Sequence, residues 1–161
     1  MDDLAVRPPN DDELATLAEF RWQWDLENGR TPTINHDEFV HSFVLWAQRN
    51  RRSHRAVVML RGSEIIGMAW LAIVPRVPTP RSVERSSGDV QSVYVVPHER
   101  DRGHGGRLIE AIMRLAREAG VERVTVHSSD RAVPMYERQR FVNSPRLLQA
   151  EVPPSSGRIA G

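Results

Sequence analysis

The stretch that most restricts what this chain can fold into is Val95-Val96-Pro97-His98-Glu99-Arg100-Asp101-Arg102-Gly103-His104-Gly105-Gly106-Arg107-Leu108. An apolar run from Val90 to Val96 stops at Pro97, and three glycines then fall within four positions. After them Leu108, Ile109, Ile112, Leu115, Ala116 and Ala119 recur at helical spacing up to Gly120. A strand, a tight turn and an amphipathic helix in direct succession demand a sheet with a helix packed back on it, an α/β layer arrangement. Backbone N–H groups at such a helix start are unpaired and carry the positive end of the helix dipole, so they attract anions. Glycines let an anion approach, and Arg100 and Arg102 add charge and forked donors. The physics points to a phosphate or pyrophosphate site at Arg100, Asp101, Arg102, Gly103, His104, Gly105 and Gly106. Two phosphate motifs fail on spacing: the dinucleotide fingerprint needs glycine at 108, which is Leu, and the P-loop needs a lysine. All 22 basic residues are arginine.

The rest of the chain supplies the elements around this turn. Leu4 and Val6 predict a short strand stopped by Pro8-Pro9. Leu14, Leu17, Ala18 and Trp22 predict a helix ending near Asn28-Gly29, with Asn10 or Asp11 as cap. A second helix is predicted from His36 to Arg49, its stripe formed by Phe39, Val40, Phe43, Val44 and Ala47. Ala56–Leu60 and Ile65–Val74 form a hairpin through Arg61-Gly62-Ser63-Glu64, with Gly67 marking a bulge. Residues 75–88 read as a long loop, 121–127 as a strand, 132–138 as a short helix around Pro134, and 147–152 as a last strand. Residues 1–152 are expected to make one domain and 153–161 a disordered tail.

Composition excludes several functions. With 22 basic against 21 acidic residues the formal charge is +1, which favours neither nucleic acid nor an anionic membrane. The arginines of 49–52 and of 75–85 are therefore not read as a nucleic-acid surface. There is no cysteine, hence no disulfide, thiolate ligand or cysteine nucleophile. The absence of lysine removes Schiff-base chemistry. The six histidines show no metal-ligand spacing, so no metal is expected. The N-terminal residues lack a signal-peptide core and the longest apolar run, Ile65–Val74, is too short to span a bilayer; the expected location is cytoplasmic.

Arg100, Gly103 and Gly105, with Pro97 before them and Leu108 after, resemble the Arg/Gln-x-x-Gly-x-Gly/Ala signature of the GNAT superfamily of N-acetyltransferases. Ala132-Val133-Pro134-Met135-Tyr136-Glu137-Arg138-Gln139-Arg140-Phe141 is similar to the family's Ala-x-x-x-Tyr-Glu-x-x-Gly-Phe segment, and the resemblance spans roughly residues 54–143. It implies a mixed, mostly antiparallel central sheet with helices on both faces and a splayed parallel strand pair. It also implies acetyl-CoA as co-substrate and direct attack by a primary amine, on a small molecule or a peptide, in a ternary complex. Val93, Tyr94 and Val95 would pair with the pantetheine arm, and Ser129 stands where relatives often place a cofactor contact. Tyr136 takes the position of the general acid for the leaving thiolate. Relatives often carry a glutamate base where this chain has Gln91; Glu84 and Asp89 are the candidates by position and His127 by its ordinary pKa.

Other residues carry weaker expectations. Trp22, Trp24 and Trp46 could shape an acceptor pocket, although core packing suits Trp22 better. Asp25, Glu27, Asp37 and Glu38 would suit a cationic amine but usually serve as solvated charges. Arg140 replaces the family's glycine before Phe141, at a cost of about 1 kcal/mol if the backbone there is left-handed. Gln91 and Arg140 keep open a second class, a non-catalytic acyl-CoA-binding or regulatory module on the same fold. A homodimer is also expected, since the proline-rich loop and the final strand offer surfaces a monomer has little reason to keep.

Overall fold

In the computed structural model, which describes residues 3–155, the hairpin predicted at 56–74 forms the centre of a five-stranded sheet. Strands β1 (Leu4–Arg7), β2 (His54–Arg61), β3 (Glu64–Pro75), β4 (Ser86–Val95) and β5 (Val124–Val126) lie side by side in chain order. The first three pairings are antiparallel, and β4 with β5 is parallel. Helices α1 (Leu14–Glu27) and α2 (His36–Arg49) follow β1, α3 (His104–Glu118) follows β4, and α4 (Val133–Arg138) follows β5.

Alternation along the strands divides the core. Ala56, Val58 and Leu60 of β2, with Met68, Trp70 and Tyr94, face Leu14, Leu17, Phe20 and Ala47 of α1 and α2. Val57 and Met59, with Ala69, Leu71 and Val90, face Leu108, Ile109, Ile112 and Ala116 of α3. Each large apolar side chain buried here contributes about 1.5–3 kcal/mol. The helix predicted at 36–49 forms with those bounds, capped by Asn35, whose side chain accepts from the N–H groups of Asp37 and Glu38. Asn10 and Glu13 make a capping box on a short 3-10 turn that leads into α1. Of the stripe expected on α2 only Ala47 is fully buried; the others are half-covered. Gly67 lies beside the expected bulge, where the β2–β3 register shifts, and a Cβ there would stand 3.0 Å from the Tyr94 carbonyl and 3.2 Å from Leu108.

Three predicted elements need correction. Residues 86–89 belong to β4 rather than to the loop, because pairing with both β3 and β5 outweighs the weak strand propensity of Ser-Ser-Gly-Asp. The strand read at 121–127 keeps only Val124–Val126; the Val121 N–H instead closes the end of α3 on the Ala116 carbonyl. The strand expected at 147–152 does not form: Leu147, Leu148 and Val152 are 60%, 85% and 89% exposed, with no neighbouring strand to pair with. Residues 153–155 are exposed and irregular, and the rest of the expected tail, 156–161, lies outside the described residues.

The chain leaves α4 through Arg140 at φ +68°, a left-handed conformation, with the Phe141 N–H bonded to the Tyr136 carbonyl. Arg140→Gly removes the Cβ strain and gives part of the gain back as unfolded-chain entropy. We expect a net stabilisation of up to about 1 kcal/mol, seen as a rise of about 2–4 °C in thermal midpoint. A lower midpoint would show that the Arg140 side chain holds the turn.

Candidate active site

Opposite Ala69 of β3, strand β4 carries two residues, Ser92 and Val93, because the register steps from Met68–Tyr94 to Trp70–Gln91. Ser92 sits at φ +61°, so this is a bulge. On its other side β4 pairs with β5 only through Gly88–Val90, where β5 ends, so the stretch of β4 from the bulge onward has no strand along that edge. The Val96 N–H bonds back to Ile66, so the peptide groups of Val93 and Val95 point to the opposite, open edge. The Val95 carbonyl there accepts from Arg100 Nε at 2.8 Å. Val93 and the Val95 N–H are left facing the opening without a strand partner.

Directly after β4 the chain reaches α3. Gly103 is its N-cap at φ +79°, no side chain caps it, and the first intrahelical bond is from Arg107 to the Gly103 carbonyl at 3.3 Å. The N–H groups of His104, Gly105 and Gly106 therefore have no partner among the described residues. A Cβ at Gly103 would touch nothing, so glycine is required there for its backbone angle and not for space. Gly105 and Gly106 face α4, near Met135 and Gln139.

The turn is held from below by Glu99, which sequence reasoning missed. Its carboxylate accepts from Arg61 Nε and Nη2, both at 2.9 Å, and lies 3.2 Å from His104 Nε2 and 3.5 Å from Arg102 Nη1. Among the described residues Glu99 and His104 are the buried polar or charged side chains. The Arg61 hydrogen bonds, opposed by burial and aided by His104, hold the Glu99 carboxyl down at about 2. Its principal partner lies 38 residues away, which no local pattern reveals. The His104 ring thus points inward, with Nδ1 buried and unpartnered, and only its backbone faces the turn.

The other expected site residues are distributed as follows. Arg100 bonds Glu27 at 2.7 Å and stacks 5.2 Å from the Tyr94 ring, whose hydroxyl donates to Glu27 at 2.8 Å. Arg100 thereby ties the end of α1 to the end of β4. Burial and then Glu27 push the Tyr94 phenol up to about 12. Burial alone would raise Glu27, but its two donors hold it below the ordinary range. Asp101 (φ +63°) and Arg102 are exposed, and Asp101 lies 3.8 Å from Arg131. Tyr136 is buried against Phe141, ring centroids 5.3 Å apart, and burial pushes its phenol up to about 12. It lines a cleft of about 1180 Å³ formed by α3, β5, α4 and the segment after α4.

Ser129 is exposed and opens the turn before α4. Asp89 accepts from Gln91 Nε2 and Thr125 Oγ1, each at 3.1 Å. Glu84 and His127 are exposed. A second cavity, of about 220 Å³, is lined by Arg21, Phe43, Trp46, Trp70, Gln91 and Ser92, and shares no residue with the cleft at Tyr136. Of the tryptophans considered for a pocket, Trp46 reaches it, while Trp22 packs on His36 and Phe39. Asp25 pairs with Arg30, and Asp37 with His36; Glu38 is exposed. Among the described residues no three His, Asp or Glu side chains gather as metal ligands, and no helix is long and apolar enough to cross a membrane.

The fold has counterparts among known proteins. Residues 14–141 match the profile of the Acetyltransferase (GNAT) family, and the chain belongs to that family. Its fold matches a predicted acetyltransferase with acetyl-CoA from Clostridium acetobutylicum at TM-score 0.76 and 16% identity, over 92% of this chain and 96% of that one. It matches a Trypanosoma brucei acetyltransferase at 0.71 and 24%, over 93% and 100%. Glucosamine-6-phosphate N-acetyltransferase from Arabidopsis thaliana matches at 0.70 and 16%, over 93% and 99%. No curated protein matches the sequence.

Because Glu99 has its pKa depressed in the folded state, its stabilising effect is full above the ordinary carboxyl value, 4.5, and is lost as the pH falls towards 2. Glu99→Gln should therefore be less stable than the parent chain at pH 7. The difference should shrink between pH 4.5 and 2, as read by urea unfolding. An equal deficit at every pH would mean that the carboxylate charge is not what holds the turn.

Proposed function

We propose that this chain transfers an acetyl group from acetyl-CoA to a primary amine, by direct attack in a ternary complex. The observation that carries the proposal is the opening between β4 and β5, which leads straight onto the uncapped start of α3. An extended arm with amide groups suits the free peptide groups of Val93 and Val95, and a pyrophosphate suits the N–H groups at 104–106. Arg102 is near enough to the turn to add charge, whereas Arg100 serves by holding β4 and α1 in place. Residues 1–152 act as one unit in this reading, and the site of action is the cytoplasm.

Acetyl-CoA supplies the activated thioester; the chain has to take a proton from the ammonium of the acceptor and return one to the leaving sulfur. Tyr136, with its phenol held up near 12, is protonated at neutral pH and has no protein hydrogen-bond partner among the described residues, so we assign it the second task. For the first we place Asp89 before Glu84. Asp89 stands on the sheet face of α1 and α2, bonded to the cavity-lining Gln91, and can act through a water, whereas Glu84 lies out on the loop. We include a homodimer in the proposal, the exposed Leu147, Leu148 and Val152 being surface for a second copy to cover. A light-scattering mass at 18.3 kDa, that of one chain, would remove it.

Two measurements test the chemistry. CoA should bind at least tenfold more tightly than pantetheine, about 1.4 kcal/mol, because pantetheine lacks the pyrophosphate; equal affinities by calorimetry would sink the anion site. Tyr136→Phe keeps the ring and its packing, so CoA affinity should persist while kcat falls roughly 10²- to 10⁴-fold. An unchanged kcat with chemistry rate-limiting would make Tyr136 structural. CoA binding without thiol release across an amine panel would favour the non-catalytic module.

A further inference from the structure

The cavity beside the β4 bulge is built for one kind of molecule. Ser92, two residues past the last β4–β5 pair at Val90, forms part of its wall, so an occupant there lies beside the opening assigned above to the acyl donor. The opposite wall is aromatic: Phe43 stands edge-on to Trp70 with centroids 5.8 Å apart, Trp46 lies 5.8 Å from Trp70 and 6.1 Å from Phe43. Trp46 is 40% exposed, although Trp70 beneath it is buried. A large apolar ring left open at a concave site is a surface awaiting a partner of like character.

Arg21 gives the cavity its charge. Its guanidinium stacks 5.0 Å from the Trp24 ring and has no carboxylate partner among the described residues. The acids of the same helix are engaged elsewhere, Asp25 with Arg30, Glu19 with His36 and Glu27 with Arg100. A guanidinium stacked on a ring keeps its in-plane N–H donors for a planar anion. Gln91 supplies the complementary end: its Nε2 donates to Asp89, which leaves Oε1 as an acceptor for an N–H of the amine. No carboxylate lines the cavity, which makes it a poor host for a polyamine. Its volume of about 220 Å³ falls below the roughly 300–1,000 Å³ of drug-sized ligand sites, and suits a single amino-acid-sized molecule.

We propose that the acceptor is a free α-amino acid with an aromatic side chain, its ring against Phe43, Trp46 and Trp70, its carboxylate on Arg21 and its amine at Gln91 and Ser92. The assignment rests on the acetyltransferase reading. The amine nitrogen bonds to the acetyl carbon and the carbon–sulfur bond breaks; of the ammonium's three protons one stays on the amide nitrogen and two leave through Asp89 and solvent, so that with the departing sulfur taking up one, a single proton is released net. The product is an N-acetyl amino acid and free CoA.

The test measures thiol release from acetyl-CoA with L-phenylalanine and L-tryptophan, their decarboxylated counterparts 2-phenylethylamine and tryptamine, L-phenylalaninamide, spermidine and glucosamine 6-phosphate. The free aromatic amino acids should exceed the others at least tenfold in kcat/KM. Arg21→Gln should raise KM for L-phenylalanine at least tenfold while leaving that for 2-phenylethylamine unchanged, a split that general loss of structure would not produce. Preference for the amide, the decarboxylated amines, spermidine or the sugar phosphate overturns this inference and leaves the acetyltransferase reading intact, as does an Arg21→Gln variant with no such split. Quenching of tryptophan fluorescence by L-phenylalanine separates the two readings further. Saturable quenching whose half-saturation concentration rises tenfold in Trp46→Ala, with no amine turned over, would leave the aromatic amino acid a ligand of the cavity but overturn both its role as acceptor and the transferase reading. Absence of both quenching and turnover overturns the inference.

Discussion

The bulge in β4 decides where everything else in the site can be. Up to Val90 the strand is held on both sides, by β3 and by β5. At Ser92 and Val93 one extra residue must fit opposite Ala69, past the end of the β5 ladder, and the strand keeps its ladder with β3 alone. Peptide groups that would have been spent on sheet pairing are thereby left at an open edge, and a buried strand acquires the polar surface that a ligand with amide groups requires. The same bulge brings Gln91 and Ser92 to the wall of the aromatic cavity on the α1 and α2 side. One irregularity thus serves both faces of the sheet.

Such an opening weakens the sheet where it matters, and two long-range ionic contacts brace it. Glu99, buried between Arg61 of β2 and His104 of α3, fixes the start of the helix relative to the hairpin. Arg100 joins the last carbonyl of β4 to Glu27 at the end of α1. Removing one partner of a buried charged group costs much more than an exposed pair is worth, because the remaining charge has lost its water as well as its partner. Arg100 of the motif is thus engaged as a brace, and the groups left without a partner at the turn are the main-chain N–H groups of residues 104–106.

Legibility followed the range of the interactions. The α2 bounds, the hairpin with its irregularity at Gly67, the helix after the glycines and its stop at Gly120 rest on contacts within a few residues, and periodicity, capping residues and turn chemistry report these. The strand read at 147–152 has the composition of a strand and no partner, so it stays irregular and exposed. Residues 86–89 have poor strand composition and two partners, so they pair. Strand formation is a property of the neighbour as much as of the segment.

The sequence by itself determined the family, the strand–turn–helix with its unpaired N–H groups, and the exclusion of cysteine and lysine chemistry. These follow from residue types at fixed short spacings, where backbone geometry leaves little choice. That Arg140, in a glycine's place, is left-handed came from the structure. The tertiary structure alone decided that Glu99 is buried beneath the turn, that Arg100 faces Glu27, and that Arg21 and three rings from α2 and β3 surround one cavity beside Ser92. Those partners are 38 residues apart for Arg61 and Glu99 and 73 for Glu27 and Arg100. No local rule relates residues at such distances; they meet because burying the apolar faces of two helices against one twisted sheet leaves their polar ends a single place to go.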